Sequence, residues 1–250
     1  MRLRPYAAVL AAVVLFGATA CSDKDSADPA PSGSPGSSAP AGSAPPAGGD
    51  AAARAAAEEA LAASLAENSY VMTVTAPQMN VEIAVDYKGG RMRMKVDGTV
   101  EGETLDAEVR VIDGKGYARY SGLGENPTDG KWVPMSEDDL QGPDGPFVVK
   151  SIFDPGQLID EGAAVTAEGA NVYKITPGSG TVVLPGFFSD MIDSGGTEFV
   201  PVSLLMGTDE QGRVSTMELV GADGAKVMLS VQDYGSKVKV DKPADSDIMS

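Results

Sequence analysis

Strict alternation of apolar and polar residues in short runs is the feature that most constrains the fold of this chain. In 91–96 (Arg-Met-Arg-Met-Lys-Val) each cation is followed by an apolar residue, so Met92 and Met94 share one face of a strand and the cations share the other. Similar alternation occupies 81–87 and 105–111. The pattern predicts β-strands with one wet face and one dry face.

Glycine-containing dipeptides separate these runs, and each suits a tight reversal with positive φ. They are Gly89-Gly90, Asp97-Gly98, Asp113-Gly114, Asp129-Gly130 and Asp223-Gly224. Further strands are predicted over 115–120, 131–135, 163–168, 172–176, 198–206, 213–220, 226–231 and 237–240. About eleven antiparallel strands are too many for a flat sheet, so we expect a mainly β (α+β) fold whose sheet curls strongly into a half-barrel, with helices over the concave face.

Three segments outside the predicted strands are candidates for the cover of that sheet. The alanine-rich segment 51–67 predicts a helix whose apolar stripe, from Leu61 and Leu65, is narrow. We therefore expect this helix to pack lightly at the edge or mouth of the domain. The segments 136–160 and 184–192 are rich in large apolar residues and are predicted to form lids.

The N-terminal residues predict export and attachment to a membrane. Arg2 and Arg4 precede an apolar stretch that is too short to span a bilayer, and small residues lead up to Cys21, the single cysteine of the chain. This order indicates a signal peptide over residues 1–20 that ends in a lipobox, with a lipid attached to Cys21. A plain secretion signal is the alternative, and it would release a soluble protein with a free thiol.

Residues 21–50 connect this anchor to the rest of the chain and consist mainly of Ser, Ala, Pro, Gly and Asp, with no large apolar residue to bury. Such a composition predicts a disordered tether. A flexible tether of about 29 residues spans roughly 30 Å, enough to hold a domain clear of lipid headgroups. The predicted folded domain is therefore 51–250.

Composition excludes several classes of function. The formal charge is −17, and it becomes −19 when Arg2 and Arg4 leave with the signal peptide, so binding to nucleic acid is disfavoured. The chain has no histidine, and Cys21 is committed to lipid, which leaves no imidazole or thiolate to bind a metal. We predict no metal, no cofactor and no catalytic residue, and a monomeric folded unit.

Three features with possible functional meaning are assigned to structure instead. Ser236 and Lys239 have the Ser-x-x-Lys spacing of some serine acylases, but on a predicted strand their side chains point to opposite faces. Carboxylates are numerous, as in 137–139, but no calcium-loop spacing and no isolated carboxylate pair occurs. Trp132, the single tryptophan, follows a turn and is expected to pack rather than to contact a ligand.

The order of several short segments resembles the LppX/LprG group of actinobacterial lipoproteins, whose fold is similar to that of the LolA and LolB lipoprotein carriers. The resemblance covers about 51–250. It rests on 113–120 (DGKGYARY), 130–133 (GKWV), 153–155 (FDP), 169–175 (GANVYKI), the Asp223-Gly224 hairpin and 238–243 (VKVDKP). It implies a half-barrel around a large hydrophobic cavity that holds the acyl chains of lipids or glycolipids and carries them toward the outer envelope.

The residues predicted to line this cavity lie on the dry strand faces or in the two lids, and methionine is prominent because its thioether adapts to variable apolar ligands. They are Met72, Met92, Met94, Phe147, Phe153, Phe187, Phe188 and Met191. The same methionines would also suit a solid core. The sequence favours a lipoprotein on the extracytoplasmic face of the cell membrane that binds lipid. A ligand-free interaction or sensor module is the main alternative, and an enzyme acting on surface glycans is a weaker one.

Overall fold

The computed structural model describes residues 49–100, 102–122, 130–141, 146–184 and 199–249 of the chain. The predicted signal peptide, Cys21 and nearly all of the tether lie outside these residues. So do Asp129, most of the predicted lid 184–192, and with it Phe187, Phe188 and Met191. No helix within the described ranges has the length and apolarity needed to cross a membrane.

One sheet of eleven strands dominates the structure. The strands are β1 Ser69–Ala76, β2 Met79–Asp86, β3 Arg91–Val100, β4 Glu103–Ile112, β5 Lys115–Ser121, β6 Val133–Pro134, β7 Ala164–Gly169, β8 Val172–Thr176, β9 Pro201–Thr208, β10 Val214–Gly221 and β11 Lys226–Gln232. Their order is β6-β5-β4-β3-β2-β1-β11-β10-β9-β8-β7, and neighbours are antiparallel. Because β6 and β7 end this order without pairing to each other in the described residues, the sheet stays open. The predicted mainly β half-barrel is confirmed.

The two faces of the sheet differ in polarity, as the alternation predicts. Met92 and Met94 of β3 are buried on the face that the helices cover, here called the inner face. Arg93 points to the opposite, outer face, where it pairs with Glu82 of β2. Strand register aligns one apolar row across six strands of the inner face: Val231, Met72, Ile83, Met94, Val109 and Ala118.

The first strand lies at the centre of the sheet, beside the last. β1 pairs with β2 on one side and with β11 on the other, so Met72 stands opposite both Ile83 and Val231. The two-residue period of the sequence begins at Ser69, but no separate strand is predicted over 69–76. Valine and threonine, rather than charged residues, occupy the outer positions of this run. They favour an extended backbone, but they hide the contrast between the two faces.

The predicted strand at 237–240 is wrong. This segment belongs to a C-terminal strap, residues 236–249, that lies on the outer face and contains no named strand. Val238 and Val240 are buried there against Ala84 of β2. Their alternation with lysine therefore reflects packing on the back of the sheet, where β1 and β11 already occupy each other's hydrogen-bonding edges.

Glycine dipeptides mark most reversals, with one exception. Asp113 and Gly114 connect β4 to β5, both with positive φ, and Asp223-Gly224 connects β10 to β11. Asp97-Gly98 instead lies inside β3, and the chain turns at Gly102. Gly98 permits a close approach of backbones, because a Cβ atom there would lie 2.7 Å from the carbonyl oxygen of Gln78.

Helix α1, Ala51–Ala66, begins at Asp50, whose carboxylate accepts a hydrogen bond from the Ala52 N–H (2.9 Å) and whose own N–H donates to the Val165 carbonyl of β7 (2.9 Å). The helix is as predicted, but its light packing is not. The small alanine side chains let the backbone of the helix approach its neighbours closely. The narrow apolar stripe of this helix is therefore part of the hydrophobic core. The buried residues are Ala53, Ala57, Ala60, Leu61 and Ser64.

Both ends of α1 are tied to its surroundings. Near the N-terminus, Arg54 donates to the carbonyl oxygens of Asp160 (2.6 Å) and Ala163 (3.0 Å), just before β7. Near the C-terminus, the buried Ser64 hydroxyl accepts a hydrogen bond from the Val214 N–H of β10 (2.8 Å). These bonds make α1 a fixed part of the layer on the inner face.

Three short helices lie within the predicted lid 136–160, and the second and third of them pack beside α1. They are α2 Glu137–Gln141, the 3₁₀ helix η1 Pro146–Phe153 and α3 Pro155–Leu158. Buried residues of this segment belong to the same apolar core as the inner face of the strands: Val149, Ile152, Phe153, Leu158 and Ile159. The segment thus covers the inner face, and we call η1 and α3 together the cover.

Candidate functional site

Three of the residues predicted to line a cavity lie close together on the inner face. Met72 is on β1, whereas Met92 and Met94 are on β3. Ile83 of β2 pairs with Met72 on one side and with Met94 on the other. The alternation in the sequence places these side chains on one face, and the strand order brings them together.

Two more predicted residues reach this place from η1. The ring of Phe153 meets Tyr70 edge-on, with centroids 5.4 Å apart and an interplanar angle of 87°. The ring of Phe147 lies 6.0 Å from that of Tyr87. Phe153 belongs to the same apolar core as the three methionines, and Phe147 packs against it. The structure therefore joins the cover to the methionines of the sheet.

This group is tightly packed. Met72, Met92 and Phe153 are 0% exposed, and Met94 is 7% exposed. Phe147 is half-buried. A side chain without exposed surface borders no space that admits a water molecule. The region between sheet and cover is therefore filled at Met72, Met92 and Phe153. The remaining accessible surface of the group lies at Met94 and Phe147.

A tyrosine cluster that the sequence analysis missed connects the cover to the ends of the strands. It consists of Tyr70, Tyr87 and Tyr234. The hydroxyl oxygens of Tyr70 and Tyr87 are 2.8 Å apart, and the rings of Tyr70 and Tyr234 are 5.9 Å apart. Lys150 of η1 places its Nζ 5.0 Å from the ring centroid of Tyr87, a cation–π contact.

The tyrosine cluster stays uncharged at neutral pH. Burial, with the nearby Tyr87, raises the pKa of Tyr70 far above its usual value. Burial also raises the pKa of Tyr87 to about 12, although hydrogen bonds from Tyr70 and the Lys150 backbone oppose this rise. Burial raises the pKa of Tyr234 to about 12. These phenols therefore serve as packing and hydrogen-bonding groups.

A second group of residues, the outer-face cluster, is built around one buried carboxylate. Glu108 of β4 is 2% exposed and accepts hydrogen bonds from Arg110 Nε (2.8 Å) and Arg119 Nη2 (2.9 Å). Both guanidinium groups stack on Trp132, with Cζ at 4.5 and 4.8 Å from the ring centroid. Burial raises the pKa of Glu108, but the hydrogen bonds and charges of the two arginines outweigh it, and the pKa lies below its usual value.

The C-terminal strap holds this outer-face cluster from the other side. The Trp132 N–H donates to the Asp247 carbonyl (2.8 Å), and the Met249 N–H donates to the Trp132 carbonyl (2.8 Å). Arg110 Nη1 donates to the Asp241 carbonyl (3.0 Å). Trp132 is buried, and its role in packing agrees with the expectation from the sequence.

The acidic run 137–139 serves helix α2. Asp139 Oδ2 accepts hydrogen bonds from the N–H (2.9 Å) and the hydroxyl (2.6 Å) of Ser136, which fixes the start of the helix. Within the described ranges, no group of three or more acidic, histidine or cysteine side chains is arranged to hold a metal ion.

No family model and no curated protein matches the chain. Similar solved structures include the lipoprotein LppX of Mycobacterium tuberculosis, at 17% identity and a TM-score of 0.43, over 77% of this chain and 100% of that one. They also include LprF from Mycobacterium bovis, at 13% identity and a TM-score of 0.45, over 79% of this chain and 99% of that one. LppX gives its name to the group that the sequence resembles. These identities and TM-scores are too low to support a function, which is argued instead from the contacts and burial of individual residues.

Proposed function

We propose that this chain is a lipoprotein, anchored through Cys21 to the extracytoplasmic face of the cell membrane, that binds and transports the acyl chains of a lipid or glycolipid. The observation that carries the proposal is the uninterrupted apolar row across β11 and β1–β5, with Met72 and Met94 within it. No charged side chain belongs to this row. The proposal includes no catalytic step, metal or cofactor, and the folded unit acts as a monomer.

Removal of methylene groups from water supplies the binding free energy. At ~0.8 kcal/mol for each buried CH₂, about 20 methylenes contribute on the order of 15 kcal/mol before the costs of ordering the ligand. Methionine side chains at the centre of the row adapt to chains of different length and branching. A polar headgroup would stay at the opening, where it keeps its hydration.

The cover moves to admit the ligand, because Met72, Met92 and Phe153 have no exposed surface in the closed arrangement. A 3₁₀ helix has poorer hydrogen-bond geometry than an α-helix, and η1 meets the sheet through the packing of side chains such as Val149, Ile152 and Phe153. Helix α1, in contrast, is bound at both ends by hydrogen bonds. We therefore place the opening at residues 146–158, with α1 staying in position.

Lipid analysis of the full chain tests this site. Cys21→Ser removes covalent acylation, so any lipid extracted from protein purified without detergent is bound non-covalently. We expect lipid in near-stoichiometric amount by mass spectrometry. Met94→Trp should remove most of it, because the larger ring fills the least tightly packed part of the group. Met228→Trp is the matched control, since Met228 lies on the outer face of β11 and is 38% exposed.

Fractionation of cells tests the anchor. The unmodified chain should partition with membranes and carry the mass of a diacylglyceryl group at Cys21, whereas Cys21→Ser should appear in the soluble extracytoplasmic fraction. A soluble unmodified chain with a free thiol would support the plain secretion signal instead.

A second candidate function is a ligand-free interaction or sensor module on the same scaffold. The full burial of Met72, Met92 and Phe153 favours it, because these residues already fill the space a ligand needs. This candidate predicts that organic extracts contain no lipid when the chain is purified from either of two expression hosts. That result would contradict acyl-chain binding. It would not bear on the anchor at Cys21, which the fractionation experiment tests.

A further inference from the structure

A polar cleft borders the outer-face cluster. Its volume is about 190 Å³, and it is lined by Asp106, Arg119, Tyr120, Ser121 and Gly130. This volume is smaller than the roughly 300–1,000 Å³ of pockets that hold drug-sized ligands, so the cleft suits a single small ring. It lies where β5 continues beyond the two-residue strand β6, which pairs with Tyr117 and Ala118.

Arg119 contributes a pre-positioned hydrogen-bond donor to this cleft. Its Nη2 binds Glu108 and its guanidinium stacks on Trp132, yet its side chain remains 41% exposed. A guanidinium has five N–H groups; one binds Glu108 and the Nε–H is buried, and the described residues provide no partner for the other three. Arg110 differs, because its Nε and Nη1 are both bound.

The positioning of Arg119 gives the buried carboxylate a function. A buried ion cluster adds little stability compared with apolar residues of similar volume. It does, however, fix the plane and direction of a guanidinium that would otherwise move freely at the surface. A donor held in place before binding loses less entropy when a ligand arrives.

Asp106 supplies hydrogen-bond acceptors at the same cleft. It is exposed on the outer face, two residues before Glu108, and it stands opposite Ser121 of β5 in the strand register. On its other side it stands opposite Asp97 of β3, a like charge that a bound hydroxyl donor would offset. The lining thus combines one cation, one anion and two residues that carry hydroxyl groups, Tyr120 and Ser121, with no net charge.

We propose that this cleft binds a neutral sugar ring through two neighbouring hydroxyl groups, one accepting from Arg119 and one donating to Asp106. A phosphate or carboxylate would be repelled by Asp106, and a cation would be repelled by Arg119. A polyol offers donors and acceptors side by side and matches both residues. The site lies on the outer face, so it does not depend on acyl binding at the inner face.

The cleft binds the sugar without cleaving it. Hydrolysis of a glycosidic bond needs one protonated and one ionised carboxyl group facing the substrate. Among the described residues that line the cleft, Asp106 alone carries a carboxyl group, and the nearby Glu108 is buried and bound to two arginines. The sugar can be free, part of a glycan, or the headgroup of a glycolipid, because all three present the same hydroxyl groups.

Saturation-transfer NMR on the full chain carrying Cys21→Ser tests this proposal. The probes are the methyl glycosides of mannose, glucose and galactose, with inorganic phosphate and glycine for comparison. We expect transfer to at least one glycoside, and Asp106→Ala should weaken its binding about tenfold or more, because hydrogen bonds to a charged group are lost. Asp241→Ala is the matched control, since it removes an exposed carboxylate of the C-terminal strap on the same face, and Asp241 does not line the cleft.

Three results would overturn the proposal: no transfer to any glycoside, transfer that Asp106→Ala leaves unchanged, or preferential binding of phosphate or glycine. Far-UV circular dichroism establishes that both aspartate variants are folded. A soluble oligosaccharide of the bound sugar and vesicles containing a lipid with that sugar as headgroup then identify the source. Tighter binding to the oligosaccharide indicates a glycan, tighter binding to vesicles indicates a headgroup, and equal affinity for all three indicates the single sugar.

Discussion

Glu108 shows that the charges on the outer face are not equivalent. It is buried, and it balances two arginines that also cover Trp132. A hydrogen bond to a charged group contributes about 1.5–3 kcal/mol, and the side chains of Arg110 and Arg119 are themselves 24% and 41% exposed, so their charges keep part of their hydration when Glu108 is lost. The pair between Arg93 and Glu82 is more exposed, and such pairs contribute about 0–1 kcal/mol.

Glu108→Ala is therefore expected to lower the free energy of unfolding by about 1.5–3 kcal/mol. Glu82→Ala, the control on the neighbouring strand β2, should lower it by less than about 1 kcal/mol. Urea denaturation followed by far-UV circular dichroism measures both. Equal effects of the two substitutions would show that the burial of Glu108 has no energetic consequence.

Acid pH should destabilise the protein through the same carboxylate. The pKa of Glu108 is lowered in the folded state, so its stabilising contribution is complete above the pKa of an unfolded glutamate and is lost as the pH falls through the folded pKa. With no histidine in the chain, we expect a constant free energy of unfolding between about pH 6 and 8 and a decline below about pH 4.5. Denaturation at a series of pH values measures this curve. Glu108→Gln should make the decline shallower, and an identical slope would contradict the assignment.

At the scale of elements, the C-terminal strap replaces the strand predicted at its position. Val238 and Val240 cover Ala84 on the outer face, and the end of the strap pairs with Trp132. The strap therefore joins the centre of the sheet to its β6 end. Its contribution to stability comes from three buried side chains, Val238, Val240 and Pro243, and from a few backbone hydrogen bonds rather than from strand pairing.

Val240→Asp should destabilise the protein by about 2–4 kcal/mol, because it places a charge against the apolar patch on β2. Lys239→Asp, one residue away, points to solvent and should change stability by less than about 0.5 kcal/mol. Urea denaturation of the full chain compares the two. If both variants unfold at the same urea concentration, the strap does not contribute to stability.

The sequence predicts the strands well where charges mark the outer face and poorly where they do not. In β3 the contrast between methionine and arginine is clear, and the structure follows it. In β1 valine and threonine take the outer positions, and the strand was missed. In the strap, Val238 and Val240 alternate with lysine for a reason unrelated to strand pairing, and a false strand was predicted. Alternation of apolar and polar residues indicates which side chains are buried, but it does not show whether the segment forms hydrogen bonds with a neighbouring strand.

The candidate site is predictable to the same extent. The shared face of Met92 and Met94 follows from their spacing alone, and their proximity to Met72 follows only once β1 is placed beside β2. The tyrosine cluster could not be predicted, because Tyr70 and Tyr234 meet through the pairing of β1 with β11, more than 150 residues later in the sequence. The full burial of the group depends on how the cover packs.

For the whole molecule, the pairing of β1 with β11 joins two series of strands into one sheet. Neither series has a separate core, since residues from both belong to one apolar cluster that also includes α1 and the cover. Contacts between such distant parts of the chain slow folding and link the formation of each part to the rest.

We therefore expect the described fold to unfold as one cooperative unit. Far-UV circular dichroism, which follows the sheet, and near-UV circular dichroism, which follows the buried tyrosines, should give the same midpoint and the same slope in urea. An earlier transition in the near-UV signal would show that the cover and the tyrosine cluster separate from the sheet before it unfolds.

The single tryptophan makes the two proposed sites distinguishable by fluorescence. The ring of Trp132 lies beneath Arg110 and Arg119 on the outer face, so the sheet separates it from the apolar row on the inner face. Its emission therefore reports on the sugar cleft and the end of the strap. A fatty acid added to the chain should leave that emission unchanged even when it binds, whereas a glycoside that contacts Arg119 should alter it.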